Sequence, residues 1–543
     1  RVRSFYLSVM MEHIADMILE ACGLYRVNLI YSGGGRAHLL LPNDGVCIGR
    51  AEETVALVNR LLMSRFGTSL FLARGCAEAT ANELSSAPGE GNSFPDVFRT
   101  ASSVISRQKL QRYNAEEISA INRKQESHST DRECVICGRS GRLIAHGEDE
   151  MICETCASLE AFSNTLTKSE FLLAVRKVRH ENAIPLPGDM WLECIDRKSL
   201  QADRVDTDDI VRIYSINSRC LDIPKTINLR FGNYQPWNDN GSSMTFEQLA
   251  DASRGVKRLG VLRADVDNLG ALFAAGFVDH EDAHPYRYTT LPRYMALSAA
   301  LTAFFQQEIN RIVEESGKSW LPDAEPSKQR RVSIVYSGGD DVFLIGAWNE
   351  VLDAGLALQS AFRRYTGGSV TLSAGLGIFP PHEPVGVMAN VTADLEEAAK
   401  LIGDGEKNAI ALFGPVSSGG ASPVFHWDDL RSKVLSDKIP LLHRVFSGYS
   451  DEEQANGNAF LYQVLSLLRE VQKEPIAIAR LAYALARHAP DKKRVPPEQA
   501  ESYDEFSRNV YRWAMEPEEN EALQAAILLH VYAHRKEHDS DVQ

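Results

Sequence analysis

Residues 332–345 read Val332-Ser333-Ile334-Val335-Tyr336-Ser337-Gly338-Gly339-Asp340-Asp341-Val342-Phe343-Leu344-Ile345. Two apolar runs flank two glycines and two aspartates, a pattern that predicts a strand, a tight turn and a second strand. Glycine lets the backbone approach a bulky ligand, and paired carboxylates at a hairpin tip can bind divalent cations. The stretch therefore suits an enzyme that joins nucleotides by attack on a phosphate. A plain turn with solvated acids is the alternative.

A partner carboxylate follows a second apolar run, which covers residues 259–268 and ends in acids. Such a run predicts a strand that is buried along most of its length, with Asp265 emerging at its end. Because the ligands of a two-metal site usually come from adjacent strands, we predict that Asp265 and Asp340 form a bridging pair. The alternative is that Asp265 caps the helix predicted for Asn268–Phe277.

An internal repeat relates the hairpin to an earlier part of the chain. Residues 26–36 align without gaps on residues 331–341, and the arginine, valine, tyrosine, serine and both glycines are identical. In each copy we predict that a helix and a strand follow, at Ala51–Arg65 and Ser69–Arg74 in the first and at Asn349–Tyr365 and Ser369–Gly375 in the second. In the first copy Gly35 and Arg36 replace the two acids. One half therefore keeps the metal ligands and the other has lost them.

Two lysines downstream of the hairpin are candidates for phosphate binding. A helix is predicted for Ala393–Lys400 and a strand for Ala409–Phe413, with Lys407 just before the strand. From these positions Lys400 and Lys407 could reach the triphosphate of a nucleotide. Ordinary surface lysines are the alternative.

The predicted elements define an architecture for the second half of the chain. A long helix at Leu291–Glu315 carries one apolar face, and residues 246–420 run strand, helix, strand, strand, helix, strand. This order is typical of the split βαβ, ferredoxin-like arrangement. Beyond residue 421 the pattern is helical, with helices predicted at Ala459–Glu470, Ile476–Arg487 and Glu521–His534. We interpret this region as a bundle for packing or subunit contact; its basic run, residues 492–494, is either a solvated loop or an RNA contact.

Four of the nine cysteines form the pattern Cys134-x2-Cys137-x15-Cys153-x2-Cys156. This spacing predicts a tetrahedral structural zinc site, preceded by a polar linker at Lys124–Glu133. Disulfides are the competing interpretation, but the sequence has no sign of export. A closed site of four thiolates has no open coordination position, so we assign it no catalysis.

The bulk composition is that of an ordinary globular protein with several domains. The 543 residues are 44% apolar and 24% charged, and the formal net charge is −15, which disfavours nucleic-acid binding across a broad surface of the chain itself. No apolar run approaches 18 residues and no secretory signal is present, so we expect no membrane span and a cytoplasmic location. Because the first residue is Arg1, we expect the sequence to be part of a longer product.

Taken together and in order, these motifs resemble the large subunit of type III CRISPR effector complexes, most closely the Csm kind of subtype III-A. The matching features are residues 3–7, 31–35, 259–270 and 337–341, the four cysteines and Lys407-Asn408. The resemblance implies an α+β fold with two ferredoxin-like, cyclase-like palm domains, a zinc-bearing linker module and a helical C-terminal domain. The implied domains are a degenerate and N-terminally incomplete first palm at 1–125, the zinc module at 126–165, a small α/β linker domain at 166–245, the second palm at 246–420 and the helical domain at 421–543.

The resemblance also implies an activity, the synthesis of cyclic oligoadenylates from ATP when the complex binds target RNA, in antiviral defence. Asp265, Asp340 and Asp341 would be catalytic and would hold two Mg²⁺ or Mn²⁺ ions. The implied ATP-binding residues are Ser337, Gly338, Gly339, Lys400 and Lys407 for the donor, and Ser32, Gly33 and Gly34 for an acceptor ATP at the interface between the palms. Implied partners are the small subunit, the subunit that holds the 5′ end of the guide, the CRISPR RNA and the target RNA, in a ribonucleoprotein.

The family often carries an N-terminal HD nuclease that cuts single-stranded DNA. The only His-Asp pair in this sequence is His538-Asp539, in a polar tail, so we expect no such domain in this chain. Two alternatives to the synthase stay open: a scaffold subunit of the same complex with a silent site, and a stand-alone nucleotide cyclase.

Overall fold

The computed structural model describes residues 2–88, 91, 93–124, 133–147, 150–166, 169–180, 182–202, 209–325, 329–414, 422–446 and 451–535, without the side chains of residues 404 and 451–456. Most of the predicted polar linker, residues 125–132, lies outside the described residues. The pair His538-Asp539 also lies outside them.

The helices agree with most of the predicted ones. In chain order they are α1 (Val2–Ala21), α2 (Gly45–Phe66), α3 (Ala81–Leu84), α4 (Phe94–Leu110), α5 (Ala115–Lys124), α6 (Glu154–Leu166), α7 (Arg197–Ala202), α8 (Phe246–Asp251), α9 (Leu269–Ala275), α10 (Leu291–Ala303), α11 (Ile309–Glu314), α12 (Trp348–Tyr365), α13 (Val385–Lys400), α14 (Trp427–Asp429), α15 (Ile439–Phe446), α16 (Asp451–Lys473), α17 (Ile478–Arg487), α18 (Pro497–Ala514) and α19 (Pro517–His534). Among the described residues, none of these helices combines the length and apolarity needed to cross a membrane.

The strands form two larger sheets and two hairpins. They are β1 (Leu29–Gly33), β2 (Arg36–Leu39), β3 (Leu143–His146), β4 (Glu150–Cys153), β5 (Phe171–Val175), β6 (Ile184–Leu186), β7 (Met190–Ile195), β8 (Ile210–Ile216), β9 (Thr226–Leu229), β10 (Leu259–Val266), β11 (Val332–Ser337), β12 (Asp341–Ala347), β13 (Leu372–Phe379), β14 (Ala409–Phe413) and β15 (Val424–His426). The pairs β1–β2 and β3–β4 stand alone as hairpins.

The chain divides into two compact units, residues 1–231 with 269–307 and residues 232–268 with 308–543. In the first unit, five strands form a sheet in the order β6-β7-β5-β8-β9. Its central strand β5 is buried at every position, as expected for an apolar run covered on both faces. Side chains of α1, α2 and α6 share one core with this sheet.

One predicted strand of the first repeat copy is wrong. Residues 69–74 form no ladder with another strand. The side-chain amide of Asn59 instead bonds both main-chain groups of Leu72, accepting from its N–H at 2.8 Å and donating to its carbonyl at 3.0 Å. Gln108 accepts from the N–H of Arg74. Because these side chains satisfy the backbone, the segment needs no neighbouring strand.

The second unit contains a six-stranded sheet in the order β11-β12-β10-β13-β14-β15. The first four of these strands are antiparallel to one another, as in a split βαβ arrangement, whereas β13 and β14 are parallel. On one face α12 packs against β10, where a side-chain Cβ at Gly260 would lie 2.6 Å from the Cα of Trp348. The other face is covered by α13, which carries Glu396 and Lys400. The sheet thus presents the ends of β10 and β12 beside α13.

Two predicted elements of this half differ from the structure. The helix predicted for Leu291–Glu315 is divided into α10 and α11 by a π-helical segment at Phe304–Glu308. The strand predicted to begin at Ser369 begins at Leu372 instead. Gly367 and Gly368 precede it with φ values of 62° and 79°, so a turn occupies the residues before the strand.

The C-terminal region is helical, as predicted, except at its start, where β15 adds an edge strand to the six-stranded sheet. Its helix α19 is buried on nearly all sides, with eleven of its side chains buried from Asn520 to Ala533. A helix buried all round is a core helix, and α15, α16 and α18 pack around it. The buried ammonium of Lys438 bonds Glu519 and lies 4.3 Å from the ring centroid of Trp513.

We predict that Gly375→Ala destabilises the second unit. A Cβ at this position would lie 2.5 Å from the Cβ of Leu395 and 2.6 Å from the N of Glu396, so α13 would have to move away from the sheet. We expect a loss of about 1–3 kcal/mol in the free energy of unfolding, measured with urea. Gly386→Ala is the control, since a Cβ there meets no atom within 4 Å. Equal stability of the two variants would contradict the close packing of α13.

Candidate functional site

The Gly-Gly-Asp-Asp hairpin forms at the predicted place. Strand β11 ends at Ser337 and β12 begins at Asp341, and the N–H of Gly338 donates to the carbonyl of Asp341 at 3.0 Å. In the neighbouring strand, Asp265 lies directly opposite Asp341. The N–H of Val266 donates to the carbonyl of Asp340 at 3.1 Å. The backbone therefore brings the three predicted carboxylates to adjoining strand ends.

Tyr336 is a residue of the site that the sequence interpretation missed. Its ring folds back over Gly338, where any Cβ would overlap the phenol. Its hydroxyl donates a hydrogen bond to Asp341. The glycine is therefore needed for the tyrosine to reach the carboxylate.

The carboxylates repel one another. Burial raises the pKa of Asp341 to about 6, and the charge of Asp340 adds to this rise, with a smaller contribution from Asp265. The hydrogen bond from Tyr336 lowers the pKa in part. An added positive charge at this point would relieve the repulsion and favour the ionised form of Asp341.

Lys400 supplies one such charge. Its ammonium bonds both the carboxylate of Asp265 and, at 2.7 Å, the Oε1 of Glu396 one turn earlier in α13. Desolvation would lower the pKa of Lys400, but these hydrogen bonds outweigh it and raise the pKa. The Nε of Arg263 lies 2.8 Å from the Oε2 of Glu396 without hydrogen-bond alignment, so this contact is ionic. The sequence interpretation named Lys400 but missed Glu396 and Arg263.

Lys407 lies in a separate part of the site. Its ammonium donates to the Oδ1 of Asn268 at 2.7 Å, and Lys407 and Asn408 both have left-handed backbones, with φ values of 59° and 52°. The buried carboxylate of Asp267 holds this turn, because its Oδ2 accepts from the N–H of Asn408 at 3.1 Å and from the hydroxyl of Thr371 at 2.7 Å. Asp267 is a further residue that the sequence interpretation did not identify.

The donor set fits hard divalent cations. Carboxylate oxygens are the ligands that Mg²⁺ and Mn²⁺ prefer, and a bound cation would offset the rise in the pKa of Asp341 that burial and the charge of Asp340 cause. Within the part of the chain that the structure describes, the three aspartates do not form a set with ligand atoms all within 4.8 Å of one another. Asp265 is paired with Lys400 instead.

The first repeat copy forms a similar hairpin in the other unit. Strand β1 pairs with β2, and Gly33 lies opposite Arg36. The turn residues Gly34 and Gly35 both have positive φ, 56° and 70°, whereas Gly339 and Asp340 are not among the positive-φ residues of the described chain. The ring of Tyr31 folds back over Gly33, as Tyr336 does over Gly338. The three predicted acceptor residues, Ser32 to Gly34, thus lie at this hairpin.

The four cysteines come together as predicted. The sulfur atoms of Cys134, Cys137, Cys153 and Cys156 all lie within 4.8 Å of one another, which fits a tetrahedral metal. Desolvation would raise the pKa of Cys134, but main-chain N–H groups, first that of Cys153, outweigh it and lower the pKa to about 6. Arg3 donates to the Sγ of Cys156 at 3.0 Å. Burial raises the pKa of Cys137 and Cys156, so a bound cation would be needed to hold all four sulfurs as thiolates.

Three family models match the chain. The Cas10/Cmr2 second palm domain matches residues 258–411, which contain the three aspartates and both lysines. The Csm1 subunit domain B matches residues 1–124. The second helical domain of the CRISPR RNA silencing complex Cmr2 subunit matches residues 445–536.

Curated relatives match almost the whole chain. A CRISPR system single-strand-specific deoxyribonuclease Cas10/Csm1 of subtype III-A from Mycobacterium tuberculosis is 34% identical over 550 residues, covering 99% of this chain and 64% of the relative. The Streptococcus thermophilus protein of the same name is 30% identical over 539 residues, covering 99% of this chain and 65% of the relative. The chain thus spans somewhat less than two thirds of the length of these relatives.

Solved structures share the fold. A Csm1–Csm4 cassette without ligand has a TM-score of 0.69 and 21% identity, covering 98% of this chain and 66% of that chain. The cassette in complex with cA4 gives a TM-score of 0.68 at 21% identity with the same coverage. At this identity the likeness concerns the fold alone.

We predict that Asp341→Asn stabilises the chain in the presence of EDTA. The substitution removes a buried charge beside Asp340 and Asp265, so the free energy of unfolding should rise by roughly 1–2 kcal/mol. Added Mg²⁺ should raise the melting temperature of the wild type more than that of the variant. Asp394→Asn, at an exposed position of α13, is the control. A variant less stable than the wild type in EDTA would show that the carboxylates do not repel one another.

Proposed function

The chain belongs to the Cas10/Csm1 family of large subunits in subtype III-A CRISPR complexes, and from this premise we propose that it converts ATP to cyclic oligoadenylates when its complex binds target RNA. The observation that carries the proposal is the register of β10 and β12, which sets Asp265 opposite Asp341, with Asp340 bonded through its carbonyl to Val266. These residues lie in the segment that matches the second palm domain. A related Csm1–Csm4 cassette has been solved in complex with cA4, which supports this class of product.

Asp265, Asp340 and Asp341 would hold two Mg²⁺ or Mn²⁺ ions. Bound there, such ions would activate the 3′-hydroxyl of an acceptor ATP and offset charge on the α-phosphate and pyrophosphate of the donor. Tyr336 orients the carboxylate of Asp341 and favours its ionised form.

The donor nucleotide would lie along the hairpin. Ser337, Gly338 and Gly339 would line its pocket, and Gly339 carries no side chain that would keep the phosphates from the backbone. Lys400 neutralises phosphate charge from α13, and Glu396 keeps its ammonium at the end of β10. Lys407 contributes a second positive charge from the turn that Asp267 fixes.

The acceptor ATP would bind the first hairpin, through Ser32, Gly33 and Gly34. This hairpin has Gly35 and Arg36 at the positions of the two acids. This assignment of the acceptor site, the five domain boundaries and the cytoplasmic location are proposals that rest on the sequence and on the family.

The partners are also proposed from the family. The related structures are cassettes of Csm1 with Csm4, and we propose that this chain likewise binds a Csm4-type subunit, the one that holds the 5′ end of the guide. The small subunit, the CRISPR RNA and the target RNA complete the assembly. The relatives are named single-strand-specific deoxyribonucleases, and we assign no such activity to residues 1–543.

We further propose that the four cysteines hold one structural Zn²⁺. Their closed set of thiolates leaves no position for a substrate, so the ion would fix β3, β4 and the start of α6 without taking part in catalysis.

Cys137→Ser should remove about one zinc per chain and lower the melting temperature by at least about 5 °C, because binding of a structural metal contributes to folding. Metal content by elemental analysis and melting by circular dichroism would measure both effects. Cys76→Ser is the matched control, since Cys76 is exposed and lies outside the cluster. Unchanged zinc content in Cys137→Ser would contradict the assignment.

The catalytic proposal predicts that Asp340→Ala with Asp341→Ala abolishes ATP conversion, by at least about a hundredfold, while the complex still assembles. The assembled complex would be incubated with each nucleoside triphosphate, with and without target RNA. Mass spectrometry would identify the products and their ring size, and gel filtration would confirm assembly.

Glu397→Ala with Asp394→Ala is the control, because both acids are exposed on α13. Product from the double Asp340/Asp341 variant at the wild-type rate would refute the catalytic assignment. Absence of product from the wild-type complex would favour the silent scaffold. Cyclic dinucleotides made without RNA would favour a stand-alone cyclase.

A further inference from the structure

A second cluster of metal-binding side chains lies in the second unit, away from the hairpin. One ligand atom from each of Asp323, His443 and His534 lies within 4.8 Å of the other two. Among the described residues, this cluster and the four cysteines are the two groups that meet this criterion. Two imidazoles and a carboxylate are a donor set of divalent transition metals.

The tautomer of His534 suits metal binding. Its Nδ1 lies 2.8 Å from the main-chain carbonyl of His530, and because a carbonyl oxygen only accepts, Nδ1 carries the hydrogen. The lone pair of the neutral ring is therefore on Nε2. Metal-binding histidines almost always donate their other ring N–H in this way, which fixes the ring and makes it a better ligand.

His530 adds an independent observation. It is buried, with 1% of its surface exposed, and neither of its ring nitrogens has a hydrogen-bond partner within the described structure. Its ring stacks on that of His534 at 4.2 Å. A buried imidazole without a partner is costly and indicates a polar group that protein atoms do not supply, such as water bound to an ion.

The carboxylate of Asp323 can bind a metal while it is paired with an arginine. Arg254 pairs with its Oδ2, but a carboxylate has two oxygens and can serve both partners. The residue is exposed, so an ion and its water ligands can enter from solvent.

We propose that Asp323, His443 and His534 bind a divalent transition metal, with Zn²⁺ as the probe. Three protein ligands leave at least one position for water. The site joins α15, which carries His443, and α19, which carries His534, to Asp323 in the segment that follows α11. The metal therefore stabilises the contact of these two helices with that segment.

The test is metal content and spectroscopy of the chain in its purified complex. Dialysed against Zn²⁺ with an excess of Mg²⁺ that keeps zinc off the aspartates of the hairpin, the wild type should retain about two zinc ions per chain, and His443→Ala with His534→Ala about one. Loaded with Co²⁺, the cysteine site gives intense thiolate charge-transfer bands, whereas the histidine site gives only weak d–d bands. The double variant should lose the weak bands and keep the intense ones.

His382→Ala is the control, because this histidine is exposed and outside the cluster. Asp323→Asn removes one ligand at an exposed position and should weaken Zn²⁺ binding at least about tenfold, even if the double variant does not fold. About one zinc in the wild type, or unchanged zinc affinity in Asp323→Asn, would overturn the proposal and leave a polar cluster held by Arg254.

Discussion

The register between β10 and β12 is the constraint on which the site depends. Side chains alternate across a strand, so a slip of one residue would turn Asp265 to the opposite face of the sheet. The register is fixed by close packing on both faces: Gly260 lies against the Cα of Trp348 on α12, and Gly375 lies against α13. Each glycine lets a helix approach to a distance that excludes any side chain. The position of the carboxylates is thus determined by the core of the sheet.

This position is electrostatically unfavourable without cations. Asp341 is more than half buried and faces two other carboxylates, and its raised pKa is a measure of that cost. The ion pairs of Lys400 with Asp265 and Glu396 offset part of it. A site of this kind is stable only because the surrounding sheet is well packed, as is common where binding requires concentrated charge of one sign.

Much of the fold was predictable because its signals are local. Apolar runs and glycine turns predicted β10, β11, β12 and most helices, and the cysteine spacing predicted that the four sulfur atoms come together. The wrong strand at Ser69–Arg74 has a non-local cause, since Asn59 takes the backbone bonds of Leu72. Tyr336, Glu396 and Asp267 were missed for the same reason: each acts through a contact with a residue that sequence spacing does not identify. The repeated Tyr-Ser-Gly-Gly was the available signal for Tyr336.

The repeat shows which part of the hairpin is structural. In both copies a tyrosine ring, Tyr31 or Tyr336, folds over the first glycine, although only the second copy has the acids. The ring therefore accounts for the tyrosine and glycine without reference to metal binding. The turns differ, because Gly34 and Gly35 have positive φ values and Asp340 does not. Asp340 can therefore carry its side chain at the tip of the hairpin without backbone strain. The two copies thus differ in charge and in the turn, while the tyrosine packing is the same in both. The two hairpins thus share one arrangement of tyrosine and glycine, and they differ in the charge that their turns carry.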